Sequence, residues 1–154
     1  MRKNVPNSYR RGIELDGKYV PTDKWTIAGN LTYMQSNIDE FAPEGADQVF
    51  RDVEPAISPE WLVNVSVSYE FTNWLTTSLN GRYVSESFLE PTNQPDLILP
   101  SFFVMDAQVT AKFRKHELSV HANNLFDTEY YSFRQPEFYE GKTVPGYIVQ
   151  PPRH

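Results

Sequence analysis

The 154 residues include no cysteine, so disulfide frameworks and thiolate metal sites are excluded, while an oxidising compartment remains open to the chain. There is no run of about eighteen apolar residues, so no helix can cross a membrane. The opening stretch MRKNVPNSYRR lacks the apolar core that a secretory signal needs. Positive charge is also scarce: 14 Lys and Arg stand against 20 Asp and Glu, the net charge is -6 and the pI is near 5.0. The basic residues are scattered, which argues against nucleic acid, whose binding is driven by clustered cations on phosphates. None of these absences touches a β-barrel. A barrel strand shows only alternation over roughly ten residues, and its water-facing half keeps the mean hydropathy low, here -0.53.

What is present is alternation. From Leu99 to Tyr131 the chain runs LPSFFVMDAQVTAKFRKHELSVHANNLFDTEYY. Phe103, Met105, Ala107, Val109, Ala111 and Phe113 fall on one face of an extended strand, and Asp106, Gln108, Thr110 and Lys112 on the other. After a tight polar turn at Arg114 to Glu117, Leu118, Val120 and Ala122 continue the apolar face, and Ser119, His121 and Asn123 the polar one. A hairpin of this kind can meet lipid on one side and water on the other.

The same pattern predicts six strands: Arg10 to Val20, Trp25 to Ser36, Trp61 to Phe71, Trp74 to Ser87, Phe102 to Phe113 and His116 to Phe126. Each has about eleven residues or more, whereas globular strands average five or six and a tilted membrane strand needs about nine to eleven. Short turns at Pro21 to Lys24, Thr72 to Asn73 and Arg114 to Lys115 alternate with long proline-rich segments at Asn37 to Glu60, Phe88 to Ser101 and from Asp127 onward. Outer-membrane barrels have this rhythm, with short turns periplasmic and long loops extracellular. All twelve prolines are expected in loops, turns or strand ends, since proline cannot donate to a ladder.

Aromatic residues mark both ends of the apolar faces. Trp25 and Tyr33 lie eight residues apart, as do Trp61 and Tyr69, and Leu75 and Tyr83, while Phe103 and Phe113 lie ten apart. Eight residues of tilted strand span roughly 20 Å, close to the apolar band of about 25 Å with aromatic girdles at its edges. Tyr19, Trp25, Tyr33, Trp61, Tyr69, Tyr83, Phe103 and Phe113 are therefore the candidate membrane-interface aromatics, an apolar ring with a polar neighbourhood suiting that boundary. The fourth strand fits least well, because Thr77 and Gly81 fall on its lipid face. The opposite faces carry Glu14, Asp16 and Lys18, then Thr26, Asn30 and Thr32, then Asn64, Ser66, Ser68 and Glu70, then Asn80 and Arg82. A Lys or Arg facing lipid at mid-bilayer would cost about 2 to 4 kcal/mol, so these residues must face water or protein. One apolar face per strand would also suit a soluble two-sheet sandwich serving as a binding module, against which strand length and paired aromatics count.

The sequence VHANNLFDTEYY resembles the penultimate strand of TonB-dependent outer-membrane receptors, which often ends in Asn-Leu-Phe-Asp followed by a Tyr pair. SYRRGIELDGKYVPTDKWTIAGNLTY resembles that family's hairpin with an Arg-Gly-Ile-Glu strand, a Pro-Thr-Asp turn and a strand ending in Leu-Thr-Tyr, and LNGRYVSESF resembles its Arg-Tyr-Val strand. The resemblance covers nearly the whole chain. It implies an all-β, antiparallel up-and-down transmembrane segment of about six strands within a plugged barrel of about twenty-two. Residues 1–154 would be the C-terminal part of that barrel, without plug domain, TonB-contacting box or last strand, because an open edge in lipid is not viable. It further implies a bacterial outer-membrane receptor for TonB-energised uptake of a scarce nutrient, with a ferric siderophore as the leading cargo and cobalamin, other metal chelates or glycans as alternatives. The expected partners are outer-membrane lipid, the TonB complex through the missing N-terminal region, and a small metal chelate. A passive porin or adhesin barrel shares the physics and differs only in lacking these motifs.

Other chemistry has little support. His116 and His121 are five residues apart, which on a strand places them on opposite faces, so they cannot ligate one ion. Asp127 and Glu129, with Asp39, Glu40, Glu44 and Asp47, could suit Ca²⁺ but read more simply as solvated loop charge. Asn30-Leu-Thr and Asn64-Val-Ser match the glycosylation pattern in mid-strand, where a glycan has no room. Ser101, Ser119 and Ser132 have no base at motif spacing, so no enzyme, cofactor or catalytic residue is expected. The loop Arg134 to Gly146 mixes aromatics and charge as a ligand-capturing loop does, and Arg134, Phe138, Tyr139 and Lys142 are its candidate ligand contacts.

Overall fold

The computed structural model describes residues 7–43, 48–131, 133–139 and 142–148. The strands are β1 (Ser8–Thr22), β2 (Trp25–Phe41), β3 (Phe50–Val53), β4 (Trp61–Thr72), β5 (Leu75–Val84), β6 (Ser87–Phe88), β7 (Ile98–Leu99), β8 (Phe102–Phe113), β9 (His116–Ala122), β10 (Phe133–Tyr139) and β11 (Lys142–Ile148). The main sheet has the order β1-β2-β4-β5-β8-β9, with β3 added to the far end of β2, and every pairing is antiparallel. The long strands thus form an up-and-down meander.

Register fixes the two faces. Tyr19, Ile27, Val67, Leu79, Ala107 and Ala122 form one continuous cross-strand row, and Leu15, Leu31, Val63, Tyr83 and Phe103 another. Both lie on the apolar face. Between them run Gly17, Gly29, Val65, Gly81 and Met105. The other face carries the rows Asp16, Asn30, Asn64, Arg82, Val104 and Lys18, Ala28, Ser66, Asn80, Asp106. No second sheet covers the apolar face among the described residues, and Leu15, Leu118 and Val120 stand 62%, 62% and 63% exposed on it. Water does not leave so large an apolar surface uncovered, and a sandwich would bury it. The single layer therefore fits lipid rather than a two-sheet core.

Strand lengths set how far the wall reaches. The 17 residues of β2, at about 3.3 Å each and a tilt near 40°, rise roughly 42 Å, well beyond the apolar band of about 25 Å. Its upper part pairs with β3 through Ile38↔Val53 and Phe41↔Phe50, so part of the expected loop Asn37 to Glu60 is a hairpin extending outside the band. Ile38 and Val53 are buried there. In the segment Phe88 to Ser101, β6 and β7 pair, and Leu89, Leu97 and Leu99 make a small core against Tyr131. Among the described residues these segments carry every buried apolar side chain except Val104 of β8, and Leu97 is the one fully buried.

Several expectations need correction. The fourth strand does not run unbroken to Ser87; β5 ends at Val84, where Ser85 turns to exchange bonds with Trp61, its N–H reaching the Trp61 carbonyl at 3.0 Å. The sixth does not reach Phe126; β9 ends at Ala122 because Asn124 and Asp127 adopt φ of 52° and 50°, which folds Asn124 to Asp127 into a turn. The segment Arg134 to Gly146 is not a loop but the β10/β11 hairpin, in which Pro136 opposes Pro145. Those two prolines thus lie inside strands, tolerated because a two-stranded ribbon leaves an open edge on each strand. Pro21, near the end of β1, sits beside a register shift between Tyr19 and Thr22. The strand Phe102 to Phe113 and the turn Arg114 to Lys115 fall where alternation puts them, while the other two short turns narrow to Asp23–Lys24 and shift to Asn73–Trp74, with Pro21 and Thr72 inside their strands.

Candidate functional site: the bore face and the extracellular rim

The polar face is bonded across the strands rather than left to solvent alone. Asn64 Nδ2 donates to Asn30 Oδ1 at 2.8 Å, the Ser68 and Ser78 hydroxyls meet at 2.8 Å, and those of Thr110 and Ser119 at 2.9 Å. Gln108 Nε2 donates to Thr110 Oγ1 at 3.1 Å, and Lys112 pairs with Glu117 at 3.8 Å near the short-turn end. Asn30 and Asn64, together with Asp16, Lys18, Asn80 and Asp106, line a concave space of about 540 Å³. Small hydroxyls and amides at facing positions satisfy one another and still leave donors and acceptors for water or polypeptide.

One basic group on this face is set apart. The Arg82 guanidinium lies 5.4 Å from the Phe102 ring centroid and 5.9 Å from that of Tyr130, and the two rings stack at 4.8 Å with 23° between planes. Tyr130 is held there by the turn after β9. Asp106 Oδ1 accepts the Asn124 N–H at 2.6 Å, Asn124 Oδ1 accepts from the Thr128 N–H at 2.9 Å, and Asn124 Nδ2 donates to the Thr128 carbonyl at 3.0 Å. The Asn-Leu-Phe-Asp element is therefore a clamp that carries the chain from the end of β9 back over the polar face. Sequence alternation places Arg82 and Asp106 on this face, but the contacts with Tyr130 and Asn124 span 48 and 18 positions and leave no local signal.

The apolar face carries the candidate interface aromatics in two bands. At the short-turn end, Trp25 and Tyr69 lie 4.6 Å apart, Tyr69 meets Phe71 edge-on at 4.7 Å, and Trp74 meets Phe113 at 5.5 Å. At the long-loop end, Tyr33 and Trp61 lie 4.5 Å apart, Tyr83 opposes Phe103, and Phe103 lies 6.4 Å from Phe126. Tyr19 is exposed opposite Ile27, one row inside the lower band. The weak point of the fourth strand has a local remedy: a Cβ on Gly81 would meet the Phe103 ring at 3.1 and 3.2 Å, so that ring lies over the glycine and covers its backbone.

Beyond the upper band the loops enclose a second polar space. Glu54, Glu60, Ser85, Glu86 and Ser101 line a cavity of about 470 Å³, and Glu54 and Glu60 also border one of about 250 Å³ with Tyr9 and Ser58. Burial pushes the Glu54 carboxyl above its ordinary value, and the charges of Glu60 and Glu86 push it the same way. The Glu54 N–H donates to Asn93 Oδ1 at 2.6 Å and Asn93 Nδ2 returns to the Glu54 carbonyl at 3.0 Å, which ties the β3 loop to the β6/β7 loop. Arg10 reaches the same rim, donating to Ser36 at 3.2 Å and Ser58 at 3.3 Å.

The remaining candidates are dispersed. His121 opposes Gln108 on the polar face and His116 opposes Phe113 on the apolar one. Among the described residues no three His, Asp or Glu are grouped to hold a metal, and Glu40 pairs instead with Arg51 at 3.2 Å. Glu44 and Asp47 lie outside the described residues. Arg134, Phe138, Tyr139 and Lys142 lie on the β10/β11 hairpin, with Tyr139 opposite Lys142, and their side chains lie outside the description.

A polar-lined, lipid-faced sheet with short turns at one end and folded loops at the other defines a segment of outer-membrane barrel wall. The model of the family described as TonB dependent receptor-like, beta-barrel matches residues 2–125, and the chain belongs to that family. Its place is accordingly the bacterial outer membrane. It is 26% identical over 129 residues to the ferrichrome outer membrane transporter/phage receptor of Escherichia coli K12, an alignment covering 78% of this chain and 16% of that protein. The fold matches the siderophore receptor PiuA of Acinetobacter baumannii with a TM-score of 0.71 at 20% identity, covering 92% of this chain and 20% of that one. It matches the unliganded ferric citrate transporter FecA equally well, at 0.71 and 23% identity, covering 94% of this chain and 23% of that one. The chain thus spans about a sixth of the curated relative and about a fifth of these structures.

Proposed function

We propose that this chain is the C-terminal part of the barrel of a receptor that captures a ferric siderophore outside the cell and imports it with energy delivered by TonB. The single-layer sheet with a bonded polar face and an exposed apolar face supports this most directly, since no soluble architecture leaves those two surfaces as they are. The aromatics Trp25, Tyr69 and Phe113 would then mark the periplasmic edge of the bilayer, and Tyr33, Trp61, Tyr83 and Phe103 the outer edge. The chain supplies wall and extracellular hairpins, while TonB is engaged through a region outside these residues. Arg134, Phe138, Tyr139 and Lys142 on the β10/β11 hairpin are the ligand contacts this reading favours, two cationic and two aromatic residue types in one hairpin. Ferric chelates named for the relatives make an iron complex the leading cargo.

Uptake of radiolabelled iron, offered on a panel of siderophores to iron-starved cells with and without the receptor gene, tests the reading. Uptake of at least one chelate should need the receptor, and should stop in a strain without TonB. Uptake that persists without TonB would make the barrel a passive pore, and uptake indifferent to the receptor would remove the transport role.

A further inference from the structure

We propose that the rim cavity of about 470 Å³, between the loop joining β3 to β4 and the segment around β6, takes the ammonium end of an aliphatic amine. That this cavity opens to the cell exterior rests on the reading of the chain as receptor wall. Its acidic lining comes from three separate segments: Glu54 follows β3, Glu60 precedes β4 and Glu86 lies between β5 and β6. Among the described residues none of the three carboxylates enters an ion pair, and no hydrogen bond reaches their oxygens. No Lys or Arg lines the cavity, and Arg10, which reaches the same rim, donates instead to Ser36 at 3.2 Å and Ser58 at 3.3 Å. Burial, then the charges of Glu60 and Glu86, hold the Glu54 carboxyl above its ordinary value, so repulsion rather than pairing governs the group.

Acidic side chains alone would be solvated surface, but a buried hydroxyl in the same lining is not. Ser87 is only 6% exposed, it lines the cavity, and among the described residues its hydroxyl has no hydrogen-bond partner. A buried polar group left unpaired is costly unless an occupant of the cavity meets it. Ser58, the other buried polar residue of the rim, is by contrast bonded to Arg10 and to the Ala56 carbonyl. The walls are also tied together against the repulsion of their carboxylates. The Ile57 N–H donates to the Phe88 carbonyl at 2.8 Å, the Glu54 N–H to Asn93 Oδ1 at 2.6 Å, and the Trp61 N–H to Ser85 Oγ at 3.0 Å. Ile57 adopts φ of 52°, a left-handed conformation that a β-branched residue takes only under constraint, and strain of this kind gathers at ligand clamps.

The choice of an ammonium follows from the spacing and the walls. Among the described residues no three acidic or His side chains are grouped to hold a metal ion, so the oxygens do not converge on one point. An ammonium sits in a wider ring, each of its three N–H groups reaching a separate oxygen at about 2.7 to 2.9 Å. The Ser87 hydroxyl and the carboxylates offer such acceptors from different sides. Tyr83, Phe88 and Ile98 complete the lining with apolar surface, which suits the methylene chain behind a charged head. Two sources carry this chemistry, an amine tail on the imported chelate and a free polyamine in the medium.

Saturation-transfer NMR of cadaverine, a five-carbon diamine, titrated into the complete receptor in nonionic detergent provides the test. Binding should saturate, should not be displaced by pentanol, and should weaken about tenfold in Glu60→Gln and in Glu86→Gln, the shift expected from one charge-assisted bond. Ser87→Ala should weaken it about fivefold without lowering the melting temperature, since that hydroxyl makes no bond within the protein. Heat-modifiable migration in detergent gels confirms in each variant that the barrel is folded. A ferric trihydroxamate with a pentylamine tail, compared with its acetylated form, separates the sources: tighter binding of the free amine assigns the site to the chelate, and equal binding assigns it to a polyamine. Absence of saturable cadaverine binding, equal affinity in Glu60→Gln and Glu86→Gln, or displacement by Ca²⁺ at matched ionic strength would each overturn the proposal. A receptor that binds cadaverine as expected but imports no iron would refute the transport reading and leave the amine site standing. Intact iron uptake with no cadaverine binding would refute the amine site alone.

Discussion

The sharpest test of the fold places one arginine at successive depths on the apolar face. Val65 lies in the row of Gly29 and Gly81, four residues from Trp61 and four from Tyr69, and is 43% exposed. Four residues at about 3.3 Å and a tilt near 40° give roughly 10 Å to either aromatic band, so Val65 sits at the bilayer midplane. Val65→Arg should cost about 2 to 4 kcal/mol, falling toward about 0 to 1 kcal/mol for positions nearer the edges. Val63→Arg and Val67→Arg, two residues to either side on the same face, should therefore cost less than Val65→Arg. Ser66→Arg, next in sequence but facing Ala28 and Asn80 on the polar side, should cost less than about 1 kcal/mol. Urea unfolding of the complete barrel in phospholipid vesicles measures all four, and vesicles of shorter-chain lipid should reduce the Val65 penalty. Equal costs at 63, 65 and 67, no effect of lipid thickness, or a larger cost at Ser66 than at Val65 would refute the assignment of faces and depth.

Three further outcomes follow from local geometry. Asp106→Ala removes the acceptor of the Asn124 amide and should destabilise the turn after β9 by about 1 to 3 kcal/mol, detected as faster protease cleavage between Asn124 and Tyr131, with Asp106→Asn milder. Gly12→Ala would drive a methyl into the Tyr33 carbonyl oxygen, a backbone atom that cannot move aside, so a loss of about 1 to 3 kcal/mol in the same urea measurement is expected. Glu54 titrates in the rim with its carboxyl held above the ordinary value, so the folded loops favour its protonated form. Its stabilising contribution is complete below the unfolded-state value and is lost as pH rises through the higher folded one. Hydrogen exchange at the Glu54 and Ile57 amides, which bond to Asn93 and Phe88, should therefore slow on acidification, and Glu54→Gln should flatten that dependence. Exchange equally pH-dependent in the variant, after correction for intrinsic rates, would assign the effect to other groups.

The main sheet was legible because a membrane wall enforces period-two alternation on every residue it contains. Met105 to Phe113 is the clearest case, its side chains alternating between hydrocarbon and water, whereas Phe102 and Val104 are apolar residues on the polar face, Phe102 stacked on Tyr130 and Val104 buried. Outside the band that constraint lapses. The β6/β7 pairing has two residues per strand, too few to show a period, and is fixed by Leu89, Leu97 and Leu99 burying one another. The β10/β11 hairpin was hidden by Pro136 and Pro145, which argue against strand in any sheet interior but not on a ribbon. The end of β9 depended on positive φ at Asn124 and Asp127, an option open to Asn and Asp without being required of them. At the candidate site, the polar identity of Arg82 was visible from spacing, whereas its cover by Phe102 and Tyr130 and the carboxylate cluster at Glu54, Glu60 and Glu86 depend on long-range folding of loops.

Because each long strand neighbours the next one in the chain, the wall is modular in units of two strands and intolerant of anything smaller. A single residue inserted into β4 just after Trp61 would exchange inside for outside along the remainder of that strand, sending Asn64, Ser66 and Ser68 into hydrocarbon. The register shifts that do occur, between Tyr19 and Thr22 and between Glu70 and Thr72, sit at the short-turn margin, where an offset is absorbed before it can propagate. Lineages of such barrels are thus free to gain or lose whole hairpins and to remodel their outer loops at will, while the count of residues within each crossing stays locked.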